Sequence, residues 1–441
     1  MKRKFILFFI LSGFVLINAQ SKKIEFSQYK LDNGLNVILH KDNTTPIVAV
    51  SVLYHVGSKN EDPQRTGFAH FFEHLMFEGS PNIKRGEYFK IVEAAGGALN
   101  ANTSFDRTYY YENLPSNQLE LGLYMESERM LQLKIDSMGV ETQRRVVKEE
   151  RKQSLDNRPY GTLIEKLFGS AYKVHPYRWT PIGSAQYIDQ AKLDEFIAFY
   201  KQYYVPQNAT LTIAGDIDIA TTKELIKKYF GEIPKGTVEI SRPKEVEPVK
   251  TAEVREIVYD NVQLPLVLHA YHMPAQGTAD YYALRMLGTL LTGGESSRMT
   301  KEIKDKQQKA VQVQSIPFPL EDPGLFIALG LCNVGVKPEE LENAIDAEVL
   351  KVKNELITDT EFQKIRNQIE TEYVTRNSTV QGIGESLANY FVYFGDANLI
   401  NTELQRYMKV TREDIKRVAN KYLTKENRVA LFYLPKSMEK K

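Results

Sequence analysis

The chain has 441 residues, of which 42% are hydrophobic and 26% are charged. This length exceeds that of one ordinary domain, so we expect two domains, and the composition is typical of a soluble globular protein. The formal net charge is +1, so no excess of positive charge favours nucleic acid as a partner.

The first 19 residues have the three parts of a secretory signal peptide. A basic start (residues 2–4) precedes an apolar run (residues 5–17), and Ala19 supplies the small residue at which cleavage is expected. The alternative is a membrane anchor, but the apolar run is shorter than the roughly 20 residues that a span requires. Cys332 is the single cysteine and cannot form an internal disulfide. We therefore expect an exported protein, either periplasmic in a bacterium or secreted.

Strand and helix patterns mix along the first half of the chain. Segments rich in β-branched residues predict strands at residues 35–40, 47–56 and 208–218. Helical periods occur at residues 66–79, 116–133 and 141–155. Because these strands and helices do not alternate strictly, the predicted fold class is α+β, with helices packed on a sheet.

The amino-acid composition changes at residues 231–255, where prolines are interleaved with charged residues. We interpret this segment as a linker between domains. Beyond it the first half recurs, because residues 187–213 and 407–433 share a Tyr, an amphipathic helix, a Tyr-rich end, an Asn and a strand, in that order. The predicted domains are residues 24–230 and a homologous copy at residues 256–441.

The segment TGFAHFFEHLMFEGS (residues 66–80) is largely apolar, yet it contains His70, Glu73 and His74. On a helix capped by Thr66, the two histidines project from one face and Glu73 lies beside them. Ionisable groups on a buried helix are costly unless something compensates them, and a divalent metal would do so by binding both imidazoles. The alternative is that both histidines are core residues bonded to backbone carbonyls. That explanation is usual for a lone histidine but less so for two histidines and a glutamate at this spacing.

A catalytic zinc ion takes three protein ligands and keeps one position for water, so a third ligand is required. The helical segment 141–155 offers Glu149 and Glu150. If Val146 and Val147 mark its buried face, Glu150 points inward and Glu149 points to solvent. The alternative is that both are surface glutamates.

The sequence HFFEH is the inverted zinc-binding motif. The chain resembles the pitrilysin/insulinase family of zinc peptidases, and above all the short two-domain branch that includes mitochondrial processing peptidase and bacterial periplasmic homologues. The segments that carry the resemblance are residues 31–39, 67–80, 96–115, 144–150, 175–183 and 293–298. The third ligand of the family is a glutamate at the spacing that separates Glu150 from His74 here, 150 − 74 = 76 residues.

The resemblance implies that this chain is a zinc metalloendopeptidase and one half of a clam-shell assembly. One Zn²⁺ per chain would be held by His70, His74 and Glu150. Glu73 would take a proton from the zinc-bound water and pass it to the leaving amine, and the C-terminal domain would be non-catalytic. The expected substrates are short peptides or unfolded polypeptides.

Two further expectations come from the same resemblance. Asn100 and Ala101 lie in a segment, residues 98–104, that we expect to form an edge strand and, by the resemblance, to pair with the substrate backbone. The alternative, which the residues alone favour, is an ordinary strand without this role. Gln143 occupies the position of a second carboxylate of the family, two helical turns before Glu150. A side chain next to the metal ligands would therefore be a neutral amide that can still form hydrogen bonds.

The chain departs from the family in its C-terminal half. Lys304 and Val311 occupy the positions of an arginine and a tyrosine that bind the substrate and the oxyanion. Since valine donates no hydrogen bond, we expect a second, metal-free homologous chain to supply both groups in a heterodimer, with a homodimer as the alternative. The competing function is a non-catalytic structural or assembly subunit, although such relatives generally have a degraded metal motif.

Overall fold

The strands of the first half form one mixed sheet in the computed structural model, which describes residues 23–439. They are β1 (Ser27–Lys30), β2 (Asn36–Lys41), β3 (Ile47–Tyr54), β4 (Ala98–Thr103), β5 (Thr108–Pro115) and β6 (Ala209–Gly215). Their order is β1-β2-β6-β3-β5-β4, in which β2 and β6 are parallel and the other neighbours are antiparallel. The expected signal peptide, residues 1–19, lies outside the described residues.

Helices occupy most of the chain between these strands. They are α1 (Phe68–Leu75), α2 (Tyr88–Ala94), α3 (Leu119–Gln132), α4 (Ser137–Arg151), α5 (Leu163–Ala171), α6 (Ala185–Gln190), α7 (Leu193–Tyr203) and α8 (Ile219–Phe230). Residues 231–253, within the expected linker, contain no helix or strand. The domain boundaries themselves stay a prediction.

The second half repeats the arrangement with five strands, β7 (Val254–Asp260), β8 (Leu266–His272), β9 (Ala310–Phe318), β10 (Leu325–Cys332) and β11 (Arg428–Pro435). Its helices are α9 (Ala279–Thr292), α10 (Pro338–Asn354), α11 (Asp359–Arg376), α12 (Val380–Phe394), α13 (Leu399–Met408) and α14 (Arg412–Tyr422). The strand order is β7-β11-β8-β10-β9, again with one parallel pair, β7 and β11. Between residues 23 and 439, no helix is long and apolar enough to cross a membrane.

The predicted duplication is confirmed by topology and by one repeated side-chain contact. In each sheet a strand that follows two consecutive helices lies between a parallel neighbour and an antiparallel one. This strand is β6 in the first sheet, after α6 and α7, and β11 in the second, after α13 and α14. Asn208 precedes β6, and its Nδ2 donates to the carbonyls of Tyr203 at 2.8 Å and His55 at 3.3 Å. Asn427 precedes β11 and makes the equivalent bonds, to Tyr422 at 2.8 Å and His272 at 2.9 Å. The α+β fold with two homologous halves is therefore confirmed.

The two halves exchange helices, a feature that the sequence reading did not include. Helix α5 of the first half packs on the second sheet, where Phe168 joins a buried cluster with Leu268 and Leu431. Helix α12 of the second half packs on the first sheet, where Leu387 is buried with Ile38. Each sheet thus buries apolar area against the other half, so the halves stabilise each other.

Candidate metal centre

Helix α1 is buried because its aromatic residues face inward. Phe68, Phe71 and Phe72 are buried, and the rings of Phe68 and Phe71 each lie 4.6 Å from the ring of Phe196 on α7. This packing confirms the predicted buried helix. The helix is shorter than predicted, since it ends at Leu75 rather than at residue 79.

The start of α1 differs from the predicted one. The N-cap is Gly67, whose φ of 102° lies in the left-handed region that favours glycine. Thr66 was predicted as the cap, and this prediction is wrong because the Thr66 hydroxyl accepts the N–H of Ser184 at 3.1 Å instead. The first turn of α1 therefore needs another acceptor for its free N–H groups.

The structure brings His70, His74 and Glu150 together. Nε2 of His70 lies 3.5 Å from Oε1 of Glu150, and Nε2 of His74 lies 3.2 Å from Oε2. Among the residues that the structure describes, these three form the one group of three or more His, Cys, Asp and Glu whose ligand atoms lie within 4.8 Å of one another. All three are half-buried, which leaves the site open to a ligand from solvent.

The donor set fits a zinc ion. Two ligand atoms that each lie about 2.0–2.1 Å from a tetrahedral centre are about 3.3–3.4 Å apart, close to both nitrogen–oxygen distances here. Two imidazoles and a carboxylate are a usual ligand set for catalytic zinc. Hydrogen bonds from the rings of His70 and His74 also hold the pKa of the Glu150 carboxyl well below its ordinary value. Glu150 is therefore an anion, the form in which a carboxylate binds a metal.

The buried face of α4 includes one of the two valines predicted to mark it. Val147 is buried at 1% exposure, but Val146 is 44% exposed, so the prediction for Val146 is wrong. The buried stripe of α4 runs through Val140 and Val147, which are two helical turns apart. Glu150 follows Val147 by one turn and faces α1, whereas Glu149 lies in solvent.

Glu73 points from α1 toward strand β4. Its Oε2 accepts a hydrogen bond from Oγ1 of Thr103 at 2.6 Å. One carboxylate oxygen is thus oriented by a neutral donor, which leaves the other available for a proton-transfer role. Thr103 is not among the predicted site residues, although it lies within the segment expected to form the edge strand.

Strand β4 is the edge of the first sheet, so the edge-strand prediction is confirmed. Ser104 N donates to the Arg107 carbonyl at 2.8 Å, and the alternation of an antiparallel ladder turns the amide of Ala101 to the opposite, unpaired side. That amide donates to Oδ1 of Asn100 at 2.8 Å. An extended chain could replace this local bond and add a strand.

Gln143 binds the carboxylate of Glu78, which is not among the predicted site residues. Its Nε2 donates to Oε1 of Glu78 at 2.5 Å, and Arg85 forms an ion pair with the other oxygen of Glu78. Glu78 is 4% exposed. It lies four residues after His74, a spacing that could have pointed to it.

A carboxylate at position 143 would therefore destabilise this chain. We expect Gln143→Glu to lower the free energy of unfolding by about 1–3 kcal/mol, because a buried acceptor would lose its donor and face a like charge. The measurement is denaturant unfolding of the metal-free chain. The control is the double variant Glu78→Gln/Gln143→Glu, which restores one donor and one acceptor and should recover most of the loss. A Gln143→Glu chain as stable as the parent would contradict the expectation.

The second half offers no hydrogen-bond donor at the position of the expected tyrosine. Val311 lies on β9, the edge strand of the second sheet, and is 41% exposed. Lys304 lies in a π-helical turn (Thr300–Lys306), and its Nζ is 3.3 Å from Oε2 of Glu295.

Comparison with known proteins shows which family the chain resembles over most of its length. Residues 36–181 match the family model of the insulinase family (peptidase family M16), and residues 190–369 match the model of the peptidase M16 inactive domain. The chain is 33% identical to the zinc protease PqqE of Helicobacter pylori over 422 residues, 95% of each chain. It is 26% identical to a zinc protease of Mycobacterium bovis over 90% of each chain.

Solved structures share the fold. A protease from Helicobacter pylori superposes with a TM-score of 0.90 at 33% identity, over 93% of this chain and 100% of that one. The periplasmic protease PqqL of Escherichia coli superposes with a TM-score of 0.77 at 18% identity. The superposition includes 94% of this chain but only 48% of the PqqL chain. At that identity the likeness to PqqL shows the fold alone.

Proposed function

Because this chain belongs to the insulinase family of zinc peptidases, peptidase family M16, we propose that it is a zinc metalloendopeptidase that hydrolyses peptides or unfolded polypeptides. The observation that supports this function is the convergence of two imidazole nitrogens and a carboxylate within 4.8 Å, next to a second carboxylate. In this proposal His70, His74 and Glu150 hold one Zn²⁺ per chain, and Glu73 is the catalytic base.

Bound there, zinc would act as a Lewis acid that polarises the scissile carbonyl and lowers the pKa of the attacking water. Glu73 takes the proton of this water and then gives it to the leaving amine. Thr103 fixes the direction of the Glu73 carboxylate through its hydrogen bond. Since α1 and α4 are regular helices packed on each other, the ligands need little rearrangement to bind.

The unpaired side of β4 is the proposed substrate-binding edge, with Asn100 and Ala101 at its centre. Because β4 ends at Thr103, which binds Glu73, a peptide that extends the sheet along this edge would run toward the proposed base. Backbone pairing recognises the extended conformation of the substrate and depends little on its side chains, which suits short or unfolded substrates.

The proposed assembly is a heterodimer with a homologous chain that carries the missing arginine and tyrosine, and a homodimer is the alternative. The length of PqqL supports a two-half assembly, because one chain of that protease spans about twice the length matched here. The proposed location is the periplasm or the exterior of a bacterium, in line with the signal-peptide pattern of the first 19 residues.

Zinc content tests the metal site. We expect the purified chain to bind one zinc ion, and its peptide cleavage to be abolished by a chelator and restored by zinc. Glu150→Gln should lose the ion, whereas Glu149→Gln, its solvent-facing neighbour, should keep it. A parent chain without zinc, or Glu150→Gln with full zinc, would contradict the proposal. Bound zinc without any cleavage, even with a partner chain, would favour the non-catalytic alternative.

A further inference from the structure

The first turn of α1 is capped by a carboxylate from outside the helix. Oε2 of Glu61 accepts the N–H of Gly67 at 2.9 Å, and Oε1 accepts the N–H of Ala69 at 2.8 Å. Gly67 has no side chain and the hydroxyl of Thr66 is used elsewhere, so Glu61 supplies the acceptor that the helix start lacks. Glu61 is 5% exposed, so both bonds are shielded from water.

Lys59, two residues before Glu61, is held by ion pairs to both halves of the molecule. Glu61 directly follows a short 3₁₀ turn, Ser58–Asn60, in which Lys59 is buried. Nζ of Lys59 lies 2.6 Å from Oε2 of Glu321, in the second half, and 3.0 Å from Oδ1 of Asp106. The backbone near Glu61 is thus anchored through Lys59 to residues outside α1.

This arrangement bears on the metal ligands because Ala69 directly precedes His70. A carboxyl group bonded to two amides of the first turn fixes the rotation of α1 about its axis and its position along that axis. Burial raises the pKa of Glu61 to about 8, so the constraint comes from these two hydrogen bonds and does not depend on a charge. His70 and His74 are carried by the same short helix, so both rings are placed with it.

We propose that Glu61 is a positioning residue that orients α1 for zinc binding, an inference that rests on the metal site proposed above. Glu61 does not touch the metal ligands. It acts through the backbone of Gly67 and Ala69, and groups that orient metal ligands typically change metal affinity by 10–100-fold when they are removed.

The test compares Glu61→Gln with Glu247→Gln. Glu247 is a matched control, because its carboxylate also accepts backbone N–H groups, those of Lys173, Val174 and His175, but none from α1. We expect Glu61→Gln to bind zinc about 10–100-fold more weakly in a chelator competition on the full chain. Glu247→Gln should stay within about twofold of the parent, and Glu61→Asp, which keeps the carboxyl group with a shorter reach, should be intermediate.

Hydrogen exchange of the metal-free chain separates this inference from the proposed function. The amides of Gly67 and Ala69 should be protected in the parent, should exchange faster in Glu61→Gln, and should be unaffected in Glu247→Gln. If Glu61→Gln does not fold, Glu61→Asp is measured in both assays. Zinc affinity and α1 exchange at parental values in the Glu61 variant would overturn the inference. A parent chain that binds no zinc, with the exchange results as expected, would refute the metal site and leave the capping of α1 standing.

Discussion

Glu73→Gln is expected to lower peptide hydrolysis by about 10²–10⁴-fold while zinc remains bound, because an amide cannot accept the proton that general-base catalysis requires. The substitution keeps the size of the side chain and an oxygen that can accept the Thr103 hydroxyl bond. The metal ligands His70, His74 and Glu150 are unchanged. The measurement pairs zinc content with the rate of cleavage of a quenched peptide.

The matched control for this variant is Glu93→Gln, the same substitution on the exposed face of α2. It should retain the parental rate and zinc content. Parental cleavage by Glu73→Gln would show that another group is the base. Loss of zinc together with activity would instead assign Glu73 to metal retention.

Local periodicity was sufficient to place His70, Glu73 and His74 on one helix, because the i, i+3 and i, i+4 neighbours are a property of the helical backbone. The pairing of Glu150 with the two histidines needed a second helix, and the face of α4 was inferred from Val147 correctly and from Val146 wrongly. Proximity of the side chains is a finding, and their role as metal ligands stays a prediction.

Contacts made across the fold were beyond the reach of the sequence. Glu61 and Glu78 are ordinary acidic residues in the sequence, and their amide and glutamine partners are set by how loops and helices pack. The exchange of α5 and α12 was likewise missed, since an amphipathic helix does not indicate which sheet it covers. The order of the elements was predictable and their tertiary partners were not.

The second large effect is expected from the partner chain. On its own this chain should cleave slowly, because Val311 has no hydrogen-bond donor and Lys304 is a flexible point charge beside Glu295. A donor to the oxyanion is worth about 2.7–4 kcal/mol in a hydrolase, which corresponds to about 10²–10³ in kcat. A homologous chain with an arginine and a tyrosine at these positions should restore a factor of that size on mixing.

The position of Val311 gives this expectation a structural basis. It lies on β9, an edge strand, and 41% of its surface is exposed, so a second chain could approach this position from solvent. An oxyanion donor must sit at a fixed place relative to the scissile carbonyl, and a second half that closes over the site can carry one there.

The decisive measurement is kcat/KM of this chain alone, with the partner, and with a partner whose tyrosine is replaced by phenylalanine. The phenylalanine partner should associate equally well, as judged by sedimentation, but should not raise kcat, because it has the same ring without the hydroxyl donor. Equal activation by both partners would mean that closure of the site, and not the hydroxyl, supplies the gain. Full activity of this chain as a homodimer would refute the heterodimer, because the site would then be complete with a valine at position 311.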